Sequence, residues 1–124
     1  MVASNDLFKE LMRRFAAGVT LVTFNENEKF GGLTVSSFCS LSMDPPLVLI
    51  CIDRKIASHE SLEKTDVFGV NICNSEQGKL AWDFANSKID KNELIKSLPH
   101  TLTKLGTPLL EGCLATMECK ITQK

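Results

Sequence analysis

The stretch LTVSSFCSLSMDPPLVLICID, residues 33–53, decides how this chain is read. Its first half crowds Thr34, Ser36, Ser37, Ser40 and Ser42 together. Those residues sit in a β-prone run that reads as one continuous strand over 33–42. Asp44, Pro45 and Pro46 stop it, because proline cannot donate to a strand ladder. Residues 47–52 then run apolar on both faces, which predicts a central strand. Two readings of the hydroxyls are open. They are the solvent face of an edge strand, or they and free backbone amides hydrogen-bond the rim of a planar heterocycle.

Working outward toward the N-terminus, Leu7, Phe8, Leu11, Met12 and Phe15 recur at helical spacing. Ser4 or Asn5 is placed to cap that helix, and Gly18 to end it. Residues 19–24 (VTLVTF) are β-branched and aromatic and predict a strand. Residues 25–29 read as a polar turn, and Gly31 with Gly32 permits close backbone approach.

Toward the C-terminus, DRKIASHESL (53–62) carries a basic pair before a short helix over 58–64, with Ser58 as expected N-cap. Free N–H groups at such a helix start favour an anion, and Lys55 adds charge. The ribbon and this loop flank the strand over 47–52, so they can converge at one end of a sheet. One would then hold a ring and the other a phosphate, as a flavin mononucleotide requires. A strand is expected over 67–73. Asn74 and Gln77 form a capping pair for a helix with Leu80, Ala81, Phe84 and Ala85 on one face. Residues 86–105 read as polar and irregular, and 115–122 alternate as a half-buried strand. Strands dominate, which predicts an antiparallel barrel or sandwich with peripheral helices.

Composition excludes several classes. The length of 124 residues fits one domain. A net charge of −1 with scattered Lys and Arg argues against nucleic acid as a partner. No apolar run approaches a membrane span, and the N-terminus is amphipathic rather than a signal peptide, so a cytoplasmic protein is expected. Cys39, Cys51, Cys73, Cys113 and Cys119 include no C-x-x-C and are expected as free buried thiols. His59 and His100 show no metal-ligand spacing, so no metal is expected. G-x-S-x-G and G-x-G-x-x-G are absent.

The segments FAAGVTLVTF, GGLTVSSFCSLSMDPPLVLICID, VFGVNICNSEQGKLAWDFA and GTPLLEGCLATMECKI together resemble the flavin reductase-like, FMN-binding split-barrel family. The likeness runs in order over residues 6–122 and includes reductase components of two-component flavin monooxygenases. It implies a mainly β, antiparallel split β-barrel with flanking helices, a homodimer, and hydride transfer from NADH or NADPH to FMN or FAD. Carried over by position, Thr34, Val35, Ser36, Ser37 and Ser40 would meet the flavin ring. Asp53, Lys55, Ala57, Ser58 and His59 would surround the ribityl phosphate, and Phe84 and Ser87 would border the site. No side chain is expected to be catalytic, since the cofactors carry the reactivity. The family pattern continues with a G-D-H segment and another strand that this chain, relative to the family, lacks. A flavin-binding electron carrier or an inactive truncated barrel is therefore the alternative to a turning-over reductase, which would pass reduced flavin to a monooxygenase or to oxygen.

Overall fold

The computed structural model describes residues 2–124. It is mainly β, with antiparallel sheets and four helices among those residues. Strands β1 (Thr20–Glu26), β2 (Lys29–Val35), β5 (Val67–Ile72) and β8 (Ala115–Lys120) form one sheet in the order β2-β1-β5-β8. Strands β3 (Phe38–Met43) and β4 (Pro46–Ile50) pair as a second sheet, and β6 (His100–Leu102) and β7 (Pro108–Leu110) as a third. Helices are α1 (Asn5–Met12), α2 (Ala57–Glu63), α3 (Gly78–Ala85) and α4 (Lys91–Ser97).

Alternation along the central strands gives the main sheet two apolar faces. Val22, Phe24, Leu33, Val35, Phe68 and Val70 pack with Leu62 of α2 on one face. Phe38, Ile50 and Ile52 close that layer from the β3–β4 ribbon side. Leu21 faces the other way and packs with Phe84 of α3, Ile95 of α4 and Leu110 of β7. A buried polar network pins the β6–β7 hairpin to this second face. Asn71 donates to Leu21 O at 2.8 Å and to Thr23 Oγ1 at 3.1 Å, and accepts from Leu110 N at 2.8 Å. Thr23 Oγ1 in turn donates to Pro108 O at 2.6 Å. No helix among the described residues is long and apolar enough to cross a membrane.

Several expectations are met. Ser4 caps α1 by accepting from Leu7 N at 3.2 Å. The Asn74–Gln77 pair closes through Asn74 N to Gln77 Oε1 at 2.8 Å, but it lies before α3, whose N-cap is Gln77 with no side-chain cap. Met117, Cys119 and Ile121 turn toward the first core layer.

Others are corrected. Helix α1 stops at Met12, well before Gly18, in a turn held by Arg14 N to Leu11 O and Phe15 N to Met12 O. The 33–42 ribbon is two strands, broken at Ser36 and Ser37. Ser37 Oγ donates to Cys51 O at 2.9 Å and Ser37 O accepts from Cys51 N at 3.1 Å, which turns the chain into the second sheet. Strand β4 is not central: it pairs only with β3, and Leu49 is 45% exposed. Its apolar run has one face on the core and one uncovered. Helix α2 begins before Ser58, with Ile56 at the N-cap and no side-chain cap. Asp53 Oδ1 accepts from Lys55 N at 2.9 Å and turns the chain early. The segment read as irregular holds α4, capped by Asp90, and β6. The five cysteines are free, but Cys39 and Cys51 are exposed and the others half-buried, because β3–β4 has an open face.

Candidate functional site

Strand β2 is an edge of the main sheet, so alternate backbone groups point away from β1. Phe30 N is one of them and donates to Asn92 Oδ1 of α4 at 3.0 Å. The amides of Gly32 and Thr34 share its parity along the strand. Glycine at 31 and 32 lets aromatic rings lie against the strand. A Cβ on Gly31 would strike the Phe24 ring, and one on Gly32 would stand 2.5 Å from the Phe84 ring.

Beside this edge a cleft of about 440 Å³ opens between β2, the start of α2 and the segment leading into α4. That volume lies in the small-molecule range of roughly 300–1,000 Å³. Ala57, Ser58 and Ser87 line it with Gly31 and Gly32. Lys29, Lys88 and Lys91 also line it, together with Glu26 and Asp90. Both acids are engaged. Asp90 Oδ1 accepts from Asn92 N at 2.9 Å and Glu93 N at 3.2 Å, and Glu26 lies 3.8 Å from Lys64 Nζ. With three lysines against two acids, the lining carries a formal excess of positive charge.

Lys91 is held in place by donating to Asn86 O at 2.6 Å and Ile89 O at 3.0 Å. Burial lowers its pKa below the usual lysine value, against the opposing pull of Asp90 and Asp83. An ammonium that has lost part of its water is a good partner for an entering anion. Hydroxyls, outward amides and ammonium groups are the donor set that a phosphate-bearing ligand needs, so the residues present fit a flavin nucleotide.

The expected site residues are distributed over several places. Ala57, Ser58 and Ser87 meet at the cleft. Ser36 and Ser37 stand exposed at the corner where β2 passes into β3, and Ser40 stands exposed within β3 opposite Val48. Asp53 and Lys55 are exposed in the loop before α2, and His59 Nε2 lies 3.7 Å from Glu63 Oε1. Three of the ribbon side chains are already committed, Ser37 Oγ among them through Cys51 O. Thr34 Oγ1 donates to Ala81 O at 2.5 Å, and Val35 is 3% exposed in the core. Thr34 keeps an outward amide on the open edge, whereas Val35 turns its backbone into the sheet and its carbonyl accepts from Thr20 Oγ1 at 2.6 Å. Phe84 is 2% exposed and supports the cleft from beneath Gly32 rather than lining it. Lys29, Lys88 and Lys91 were not singled out by the sequence. Their signal is weak, since each lies in a polar segment that reads as a solvated surface. Among the described residues no cluster of His, Cys, Asp or Glu could hold a metal ion.

Comparison with known proteins places the chain in a family. The actinorhodin polyketide dimerase of Streptomyces coelicolor is 32% identical over all of this chain and 69% of its own length. The reductase subunit HsaB of a flavin-dependent monooxygenase from Rhodococcus jostii is 32% identical over 92% of the chain and 57% of its own. The reductase component of a 4-nitrophenol 4-monooxygenase from Rhodococcus opacus is 37% identical over 92% and 60%. The chain thus spans roughly three fifths of the length of most of these relatives. Among solved structures, BorF, the flavin reductase component of a bacterial two-component tryptophan halogenase, superimposes with a TM-score of 0.88 at 30% identity, covering 97% of this chain and 76% of that one. The family described as flavin reductase like domain matches residues 12–124, and the chain belongs to it.

Proposed function

We propose that residues 1–124 form one flavin-binding domain of an NAD(P)H-dependent flavin reductase, with its sheets contributing to a split barrel. FMN or FAD would take a hydride from NADH or NADPH, and reduced flavin would pass to a flavin-dependent monooxygenase. The observation that carries this reading is the cleft joining Ser58 and Ser87 to three lysines beside the β2 edge. The names of relatives support the chemistry: one is an NADH-dependent flavin reductase, and one solved structure is an NADH:FAD oxidoreductase in complex with NAD and FAD fragments.

In this reading the flavin phosphate sits in the cleft against Ala57, Ser58 and Ser87, with Asp53, Lys55 and His59 at its rim. The ring lies along the main chain of Thr34, with Val35 anchoring the strand beneath it, and reaches Ser36, Ser37 and Ser40. Phe84 holds the strand that carries those amides. The protein's contribution is to bind and orient, since bound flavin itself supplies the hydride acceptor. The active unit is a homodimer. Support comes from α1, whose Leu7, Phe8, Leu11, Met12 and Phe15 are all exposed.

The test is titration of the purified chain with FMN and FAD by absorbance, followed by NADH and NADPH oxidation at saturating flavin. Saturable flavin binding with nicotinamide-dependent bleaching is the expected result. Binding without bleaching would leave a flavin carrier, and no binding would remove the reading altogether.

A further inference from the structure

Outside the cleft, the end of β5 and the turn before β8 bring two thiols near one another. Leu114 N donates to Ile72 O at 2.9 Å, and Asn74 Nδ2 donates to Gly112 O at 2.9 Å. These two bonds bracket Cys73 on one segment and Cys113 on the other. Both cysteines pack on the same apolar cluster, around Leu21, Phe84, Ile95 and Leu110. Neighbouring antiparallel segments lie close enough for a disulfide, which bridges Cα atoms about 4.4–6.8 Å apart. Gln77 completes the arrangement. Its Oε1 accepts from Asn74 N at 2.8 Å and its Nε2 donates to Cys113 Sγ at 3.5 Å.

We infer that Cys73 and Cys113 are a peroxide-responsive dithiol that closes to an intramolecular disulfide. The Cys113 sulfur attacks one oxygen of hydrogen peroxide, giving a sulfenic acid and one water. The Cys73 sulfur then attacks the Cys113 sulfur, displacing its hydroxyl as a second water and forming the S–S bond. Two thiols are oxidised by two electrons and one peroxide is reduced to two waters. The Gln77 amide stabilises the negative charge on Cys113 sulfur as it attacks. Burial, and then the neighbouring Cys113, raises the Cys73 pKa, so Cys73 holds its proton more tightly and is not the thiol that meets peroxide first. Closing the bond joins β5 to the β7–β8 turn across the segment that contains α3, α4 and the hairpin. It therefore staples the elements that carry Ser87, Lys88 and Lys91 to the sheet. Reduced flavin meeting oxygen is one source of the peroxide, but the pairing stands independently of any flavin activity.

The experiment treats the reduced, folded protein with hydrogen peroxide, blocks remaining thiols with N-ethylmaleimide in denaturant, and maps cross-linked peptides by mass spectrometry. The expected result is a dithiothreitol-reversible link between Cys73 and Cys113, identified by fragmentation because Cys119 shares the Cys113 tryptic peptide. In Cys73→Ser the link disappears and dimedone labels Cys113. Gln77→Leu leaves both thiols in place and should slow closure about fivefold, the effect of one hydrogen bond. A link between the exposed Cys39 and Cys51 at a peroxide dose that leaves Cys73 and Cys113 reduced would overturn the inference. So would an unlinked, singly oxidised Cys113 in the wild type.

Discussion

Phe84 lies directly beneath Gly32: a Cβ added at Gly32 would stand 2.5 Å from Cε1 and 2.9 Å from Cδ1 of its ring. The ring belongs to α3 and is 2% exposed, so it has nowhere to retreat. The glycine is what allows the helix to approach the edge strand, and the approach lets Thr34 Oγ1 reach Ala81 O. Gly32→Ala should destabilise the fold by about 1–3 kcal/mol, the usual cost of overpacking a core. Urea denaturation would show it as a lower midpoint at unchanged slope. A loss under about 0.5 kcal/mol would mean that α3 can shift at little cost.

The Asn71 network makes a second prediction. Asn71 is fully buried and joins β1, β5 and β7 through its side chain. Asn71→Ala strands the Leu110 amide and the Leu21 carbonyl partner at once. The expected loss is about 2–3 kcal/mol, since a buried group left unpaired costs roughly 1–3 kcal/mol by itself. Hydrogen exchange should speed first at Leu110, where the hairpin meets the sheet.

Ser58 lines the cleft near the start of α2, within reach of an entering phosphate. Ser58→Ala should weaken FMN binding by about 1 kcal/mol, the scale of one hydrogen bond. Riboflavin lacks the phosphate and should be almost indifferent to the change. An equal loss for both ligands would place the phosphate elsewhere.

The exposed face of α1 gives the dimer prediction. Leu7, Phe8, Leu11, Met12 and Phe15 are between 49% and 70% exposed, a contiguous apolar surface of the kind that marks an interface. Sedimentation at micromolar concentration should show a dimer, and Leu11→Arg should shift it toward monomer. A wild-type chain that sediments as a monomer while binding flavin fully would exclude an interface built on this helix.

How much of this was legible in the residues follows from what sets each element. Local chemistry was readable: Ser4 caps α1, Asn74 meets Gln77, and the β8 alternation turns Met117 and Cys119 inward. Tertiary choices were not. The break at Ser36 and Ser37 depends on Cys51, fourteen residues away from Ser37, so the hydroxyl pattern alone continues through it. Helix α4 is short and polar with one wholly buried residue, Ile95, which leaves almost no periodic signal. Asp90 followed by Glu93, Leu94 and Ile95 was the cue available. The cleft lysines gain meaning only when α4 folds against β2, where Asn92 binds Phe30.

Lys91 supplies a prediction in pH. Burial holds its pKa below 10.5, against the pull of Asp90 and Asp83. Between the folded pKa and the unfolded value the native state binds fewer protons than the unfolded chain. Stability from this group therefore rises with pH across that alkaline window, and the group contributes no slope below it. An anion bound in the cleft favours the charged ammonium and raises its pKa, so FMN binding should take up a proton there. FMN affinity should then fall as pH rises through the Lys91 pKa of the free protein. Lys91→Met should weaken FMN binding about tenfold near neutrality, a loss of about 1.4 kcal/mol, and should flatten the alkaline fall. Calorimetry in two buffers of different ionisation enthalpy would detect the proton uptake in the wild type and its absence in the variant. Identical alkaline profiles for the two proteins would show that another of the cleft lysines, Lys29 or Lys88, holds the phosphate.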